Sequence, residues 1–520
     1  MFRPFACLLA LSLGLSAPKA FSAEQAVPPN PSAPSNPLAR APEVAGTPAN
    51  PPLTLEDAVA RAMQKNFDLR IQAFTTENAR EAVVIAKSDF DPVINGAIVR
   101  SLSQDASRVS TLEGNQSEGP RRDNTSARIG VTERFAATGG TVNVSTNISR
   151  AATNVTNQLL NPTFGNGVSA TVVQPLLRGA GRTVATAAVE RSKLGLNIAN
   201  LNYTSRVLTV IRDTENAYYN LVSAREVLRI RQLSLELAQR LFEENQTRRS
   251  TGVATDLDVL TAEVGVANAR RAGIQAEQTA RDREDALLNL INAPDITERP
   301  GPVSFDDFRE APPSFADSYK RARDRYPDSL SSQETIKQLE IDLAVARQNI
   351  KPQVNLEAGL GYSARANDIG YFEAVQSLPA EHGNSWNVGL VYSIPWGQHA
   401  DKARFRSALS NLNSQKTRLD QLEKNLVVQV RAAVRAVATN LASVEIAAQA
   451  TQLSARQYEL QKARFDAGLS TSRLVLQAQD DLEIARFNEL SAKASLRTAV
   501  AELHRLEGSS IERFRVQLPQ

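Results

Sequence analysis

Few side chains in this sequence could do catalysis or hold a metal. Its histidines are His382, His399 and His504, its one cysteine is Cys7, and adjacent carboxylates occur at Asp480 and Asp481. A metal site would need ligands at a short recurring spacing, and the histidines stand at no such spacing from one another or from a carboxylate pair. Nucleophilic or phosphate chemistry would leave a motif, and there is no G-x-S-x-G, no P-loop and no H-E-x-x-H. His504 closes a predicted helix, where a cation suits the dipole. His382 and His399 flank a predicted strand, and Asp480 and Asp481 read as solvated charges on a helix face. The pattern predicts no enzyme, no cofactor and no metal, so the chain must act through its shape.

The N-terminus carries Arg3, an apolar run from Phe5 to about Ala17, and small residues in "KAFSA", the three-part pattern of a secretory signal peptide. Cleavage near Ser22 or Ala23 removes Cys7, leaving no thiol, and removes Arg3 and Lys19, taking the net charge from +3 to about +1. So balanced a charge gives no basic surface for nucleic acid. No later segment holds 18 consecutive apolar residues, which excludes a spanning helix and leaves a periplasmic or secreted protein or a β-barrel.

The chain is written twice. "RSTGVATDLDVLTAEVGVANAR" (249–270) and "FDAGLSTSRLVLQAQDDLEIAR" (465–486) share Gly252/Gly468, Thr255/Thr471, Val259/Val475, Leu260/Leu476 and Ala262/Ala478 at an offset of 216. Earlier in each half "TLED" (54–57) matches "SFAD" (314–317), and "DPVIN" (91–95) matches "KPQVN" (351–355), at an offset of 260. The predicted organisation is a signal peptide (1–23), a Pro-rich disordered leader (24–52), a first repeat (53–293), a linker (294–313), a second repeat (314–507) and a tail (508–520). Segments 183–251 and 402–467 are nearly free of Pro and Gly and rich in good helix formers, predicting rods of about 100 Å each. Single helices of about 50–55 Å are predicted over about 55–88, 255–291, 315–349 and 471–506, so that two stacked short helices match one long one.

Between the helices the period falls to two. In "VNLEAGLGYS" (354–363) and "WNVGLVYSI" (386–394) one face is Val354, Leu356, Leu360, Trp386, Leu390 and their apolar neighbours, and the other is Asn, Glu, Gly and Ser. Trp386, Trp396, Tyr362, Tyr371, Phe372 and Tyr392 fall where an interfacial aromatic girdle would lie. On patterning alone, a lipid-facing barrel and a soluble sheet with an apolar core face fit equally. Pro92, Pro175, Pro352 and Pro395 stand at every change between helix and strand, since proline can continue neither ladder.

Together, the duplicated halves, "VVQPLLRGAGR" (172–182) with its counterpart "VYSIPWG" (391–397), and the repeated G-x-x-T-x-x-x-V-L-x-A resemble the outer-membrane efflux protein family, the TolC-like exit ducts, over about residues 53–507. The resemblance implies an α+β membrane protein with duplicated halves. It would form a trimeric 12-strand β-barrel, four strands from each chain, continuing into a long α-helical coiled-coil barrel across the periplasm. One stretch departs from it. "SARIGVTERF" (126–135), a "TGG" turn and "TVNVSTNI" (141–148) form an additional hairpin, which would raise a trimer to eighteen strands if it crossed the membrane. The expectation adopted is twelve, with this hairpin outside or below the bilayer.

Gly252 and Gly468 are placed to end the long helices in left-handed caps, and Thr255 and Thr471 to cap the returning ones. The resemblance makes these tips the docking surface for a periplasmic adaptor, through Val253 and Leu469, and gives the assembly an inner-membrane pump or secretion ATPase and outer-membrane lipid as further partners. It also places a gate at the tips. There Asp258 is expected to pair with a basic residue of a neighbouring hairpin and Phe465 to fill the constriction, with Asp256, Arg464 and Arg473 at similar depth. The family's aspartate ring is replaced here by Leu474 and Gln477. The expected function is passive conduction of small toxic compounds or secreted substrates out of a Gram-negative cell. The competing class is a structural or adhesive coiled-coil protein, which accounts for the rods but not for proline-bounded strands in both halves.

Overall fold

The computed structural model describes residues 52–109, 116–117, 119–155, 161–291, 299–305, 313–367 and 383–517. The predicted signal peptide, all but the end of the leader, Cys7, Tyr371, Phe372 and His382 lie outside the described residues.

The helix formers build α1 (Leu55–Lys65), α2 (Phe67–Ser88), α3 (Arg182–Ala185), α4 (Ala187–Ser250), α5 (Asp256–Ile291), α6 (Phe315–Arg325), α7 (Pro327–Asn349), α8 (His399–Asp466), α9 (Ser472–Glu507) and α10 (Ser510–Arg513). At 64 and 68 residues, α4 and α8 run about 96 and 102 Å. The helices that open each half are broken where single helices are expected. Asn66 and Tyr326 are extended, at ψ 129° and 112°. Asn66 Oδ1 accepts from the backbone N–H of Asp68 (2.9 Å) and Leu69, starting α2 afresh. Pro327 opens α7 and disfavours the helical conformation for Tyr326 before it.

The helices pack as an arc four rods wide. α4 contacts α2 and α5 on one side and α7 and α9 on the other, while α7 and α9 also pack on α8. The order is α2 stacked with α5, then α4, then α7 stacked with α9, then α8. Each half has its own core at mid-height. One gathers Leu55, Val59 and Ala62 from α1 with Ile211, Tyr218 and Leu221 of α4 and Leu287 of α5. The other gathers Ala322 of α6, Val430 and Val437 of α8, and Val500 and Leu503 of α9. Parts of the linker and tail dock on the first core: Phe305 stacks on Tyr219 at 6.0 Å, and Ile511, Phe514 and Val516 pack beside it.

The strands are β1 (Val93–Gln104), the short β2 (Arg108–Val109) and β3 (Gln116–Ser117), β4 (Arg121–Arg134), β5 (Thr141–Thr153), β6 (Thr163–Pro175), β7 (Gln353–Asn367) and β8 (Gly383–Ser393). β1-β4-β5-β6-β7-β8 form one sheet, every neighbour antiparallel, with β1 and β8 as its edges. This corrects the expectation of four strands per chain: the additional hairpin is β4–β5, and it occupies the interior of the sheet. Its paired Val, Ile and Thr on both sides leave it nowhere else to satisfy its backbone.

The four prolines sit where elements change. Pro92 and Pro352 immediately precede β1 and β7, Pro175 ends β6, and Pro395 follows β8. The junction is braced. Leu176 donates its N–H to Val354 O (2.8 Å), and Arg178 pairs at 2.8 Å with Asp401, a buried carboxylate in the first turn of α8 that Arg404 also reaches at 3.1 Å.

Candidate functional site

Two surfaces stand out: the hairpin tips at the far end of the rods, and the wall of the sheet.

At both tips the chain reverses in the same way. Gly252 and Gly468 have φ of 78° and 76°, a region a side chain disfavours. The Gly252 N–H bonds Arg249 O and the Val253 N–H bonds Arg248 O, each at 2.9 Å. The Gly468 N–H bonds Phe465 O (2.9 Å) and the Leu469 N–H bonds Arg464 O (2.8 Å). Both are Schellman caps, closing the last carbonyls of α4 and α8. Val253 and Leu469, 74% and 72% exposed, project beyond them with no partner in the chain's described core.

The returning helices start differently. Thr255 Oγ1 accepts the Asp258 N–H (3.2 Å), and Asp258 Oδ2 accepts from the Thr255 N–H (3.0 Å) and hydroxyl (2.7 Å), a reciprocal capping box. These bonds, the hydroxyl's first, hold the Asp258 carboxyl below the usual carboxylate range. Within the chain Asp258 Oδ2 is thus engaged by its own helix end. Thr471 makes no such side-chain bond, and Leu474, three residues on, has no carboxylate to complete a capping box. Asp256 pairs with Arg249 across its own turn at 2.6 Å, and Arg464 and Arg473 are exposed.

Phe465 does not project into open space. It is 4% exposed, packed with Leu241 of α4, Tyr458 of α8 and Val475 and Leu476 of α9. The Arg248 guanidinium lies over its ring at 4.1 Å, donates to its carbonyl and pairs with Glu244 at 2.7 Å. Its expected place in a constriction is corrected: an aromatic at the joint of three helices is drawn into their contact, where it ties the chain's two hairpins together. Above it runs a buried polar seam that sequence reasoning missed. Ser472 donates to Asn245 Oδ1 (2.8 Å), Ser234 donates to Glu483 (2.9 Å), Gln479 Nε2 donates to Ser234 O (3.1 Å), and Arg231 pairs with Glu483. The signal was there: Ser472, Gln479 and Glu483 recur on the same helical stripe as Val475 and Leu482.

On the sheet, alternation divides all six strands in one sense. Ile94, Ile98, Ile129, Val144, Leu360 and Trp386 share one face, and Ile98 and Trp386 are 83% and 76% exposed. The other face is polar and cross-linked: Asn143 Nδ2 donates to Thr132 Oγ1 (2.7 Å), and the Ser145 and Ser169 hydroxyls are 3.0 Å apart. Among the described residues no group of three or more His, Cys, Asp or Glu could hold a metal ion, and no helix is long and apolar enough to cross a membrane. The Arg513 guanidinium meets His504 Nδ1 at 3.1 Å.

Long helices below a one-sidedly apolar sheet are also found in proteins of known sequence and structure. The family model described as outer membrane efflux protein matches residues 121–293 and 318–509. The pyoverdine export outer membrane protein OpmQ of Pseudomonas aeruginosa is 24% identical over 287 residues, 54% of this chain and 57% of that protein. Protein CyaE of Bordetella pertussis is 24% identical over 322 residues, 61% of this chain and 66% of that one, so each match spans less than two thirds of the relative's length. The crystal structure of the Campylobacter jejuni CmeC outer membrane channel superposes with a TM-score of 0.66 at 17% identity, covering 90% of each chain. The chain therefore belongs to the outer membrane efflux protein family, and so to the outer membrane of a Gram-negative cell, with its long helices on the periplasmic side.

Proposed function

We propose that copies of this chain, three to a ring, form a passive exit duct through the outer membrane. The observation that carries this reading is the apolar face of the six-stranded sheet, exposed from edge to edge and bounded by the open strands β1 and β8. Lipid is the solvent for such a face. Its edges cannot stay open there, because unpaired backbone groups in hydrocarbon cost several kcal/mol each. Six alternating strands leave β8 of one copy antiparallel to β1 of the next, so copies join edge to edge without reversing direction. Each strand, of 11 to 15 residues, is long enough to cross. The four-rod arcs below then close into a sleeve of twelve helices, a water-filled path lined by polar side chains. An adhesive stalk would leave the apolar face uncovered.

The tips are the end to which a periplasmic adaptor docks, with Val253 and Leu469 as apolar contacts held out by Gly252 and Gly468. The first turn is set by Thr255, while Thr471 marks the second. The joint of Phe465 with Arg248 keeps the two hairpins of each chain together and the mouth narrow, and the Asp256–Arg249 pair stiffens the first turn. Arg464 and Arg473 stay free to meet a neighbouring copy or the adaptor. Energy comes from an inner-membrane pump or secretion ATPase, and the cargo is a small toxic compound or a secreted substrate. The test is fractionation and detergent extraction. The expected result is an outer-membrane protein migrating as a heat-modifiable trimer; a chain that stays monomeric in water without detergent refutes the reading.

A further inference from the structure

We propose, resting on that trimeric reading, that the β4–β5 hairpin crosses the membrane with the other strands, so that three chains close an eighteen-strand barrel whose added wall makes it wide and anion-preferring. Backbone pairing argues first. β4 is paired with β1 from Val93↔Thr132 to Gln104↔Arg121 and with β5 from Arg122↔Thr153 to Arg134↔Thr141, and β5 is paired with β6 along most of its length. Taking the hairpin out of the wall would break two long ladders and part β1 from β6.

The outward face of the hairpin has the chemistry of lipid contact. Ile129, Val131, Val144 and Ile148 lie on the same side as Ile98 and Trp386. On this side the hairpin carries charge only toward its ends: Arg121 and Asp123, the latter paired with Arg100 at 2.8 Å, with Arg150 opposite Thr125 at one end, and Glu133 at the other. From the level of Arg150 to Glu133 the strand advances by about 26 Å, or about 20 Å along the membrane normal at a tilt near 40°, most of the roughly 25 Å height of the apolar band of an outer-membrane barrel. A hairpin standing outside the bilayer would have no reason to keep its charges that far apart.

Width argues independently. Six strands spaced about 4.8 Å and tilted about 40° cover an arc of about 38 Å, and four helices at 9–10 Å cover about 36–40 Å, whereas four strands would cover only about 25 Å. With β4–β5 in the wall each chain is as wide in its barrel as in its rods. Eighteen such strands give a backbone radius of about 18 Å against about 12 Å for twelve.

The inward face of the added wall is cationic. Arg122, Arg128 and Arg134 share the polar side of β4 with Thr132, six residues or about 20 Å apart. Arg134 lies 5.9 Å over the Phe90 ring at the periplasmic end, while Arg122 and Arg128 are exposed. Among the described inward-facing side chains of the six strands the one carboxylate is Glu357, so three arginines less one glutamate give those side chains +2 per chain and +6 per ring. A low-dielectric wall focuses that charge into the lumen. The cargo class this favours is bulky and anionic.

The experiment uses single cysteines in a Cys7→Ser background, each spin-labelled in the reconstituted full chain: V144C and I148C on the apolar side, S145C and N147C on the polar side, and V388C on β8 as reference. The expected result is lipid contact at 144, 148 and 388 and water contact at 145 and 147. Water contact at 144 and 148 with lipid contact at 388 overturns the eighteen-strand wall and leaves the duct intact; water contact at 388 as well overturns the duct itself. In planar bilayers under a KCl gradient, the R122S/R128S variant should lower the chloride-to-potassium permeability ratio at least about twofold. An unchanged ratio overturns the anion preference.

Discussion

Replacing Phe465 with alanine tests the joint between the two hairpins of one chain. The ring is 4% exposed and packs on residues from α4, α8 and α9. Truncating a fully buried phenylalanine costs about 3–5 kcal/mol, and the small size of this cluster puts the packing loss near the lower figure, about 3. Losing the Arg248 guanidinium stacked at 4.1 Å adds about 1 kcal/mol. A total of about 4 kcal/mol is close to a thousandfold in the equilibrium between joined and parted hairpins. The backbone bond from Arg248 to the carbonyl of residue 465 survives the substitution, so the change reports on the ring. Single-channel recording in planar bilayers should show a higher resting conductance, and trypsin should cleave faster at Arg464 and Arg473; F465L should restore most of both. Wild-type conductance with a wild-type digestion pattern in F465A would mean that the joint does not hold the mouth.

Three further outcomes are expected. Substituting G252V or G468V forces a β-branched residue into φ near 77°, at about 1–3 kcal/mol each, and should weaken capture of the chain by its adaptor; unimpaired capture would clear the caps of a docking role. Because the folded pKa of Asp258 is depressed, its capping contribution is complete above the unfolded value of about 4 and disappears as pH falls through the lower folded value. Hydrogen exchange at the start of α5 should accelerate over that range, D258N should abolish the pH dependence, and the start of α9, with Leu474 at the matching position, should show none. Substituting D401A removes the buried carboxylate that holds the half-buried Arg178, at about 1–3 kcal/mol, and should lower the temperature at which the heat-modifiable species converts; an unmoved transition would count against the junction brace.

Much of the architecture was legible because its signals are long or repeated. Helices over sixty residues long leave a Pro- and Gly-poor stretch that no strand could hide, and the two glycine turns announce each other. The breaks at Asn66 and Tyr326 were written as an Asx cap and a proline, but each is a single residue inside a good helical pattern. The place of β4–β5 was not legible, since alternation gives a strand its two faces and says nothing of which strands lie beside it. The tips divide in the same way. Gly252, Gly468 and Thr255 act through their own backbone neighbourhood, so local sequence suffices. Phe465 acts through Leu241, Val475 and Arg248, two of them more than two hundred residues away in the chain, and no local pattern distinguishes a residue aimed at a lumen from one aimed at the adjoining helix.

The account depends most on the sheet of each chain closing with its copies around water in a lipid bilayer. Single-channel current from the purified protein in planar bilayers tests this most directly. Discrete, uniform conductance steps from a detergent-stable trimer are the predicted result. Protein that inserts but carries no current above the bare bilayer, in the wild type and in F465A alike, would contradict it.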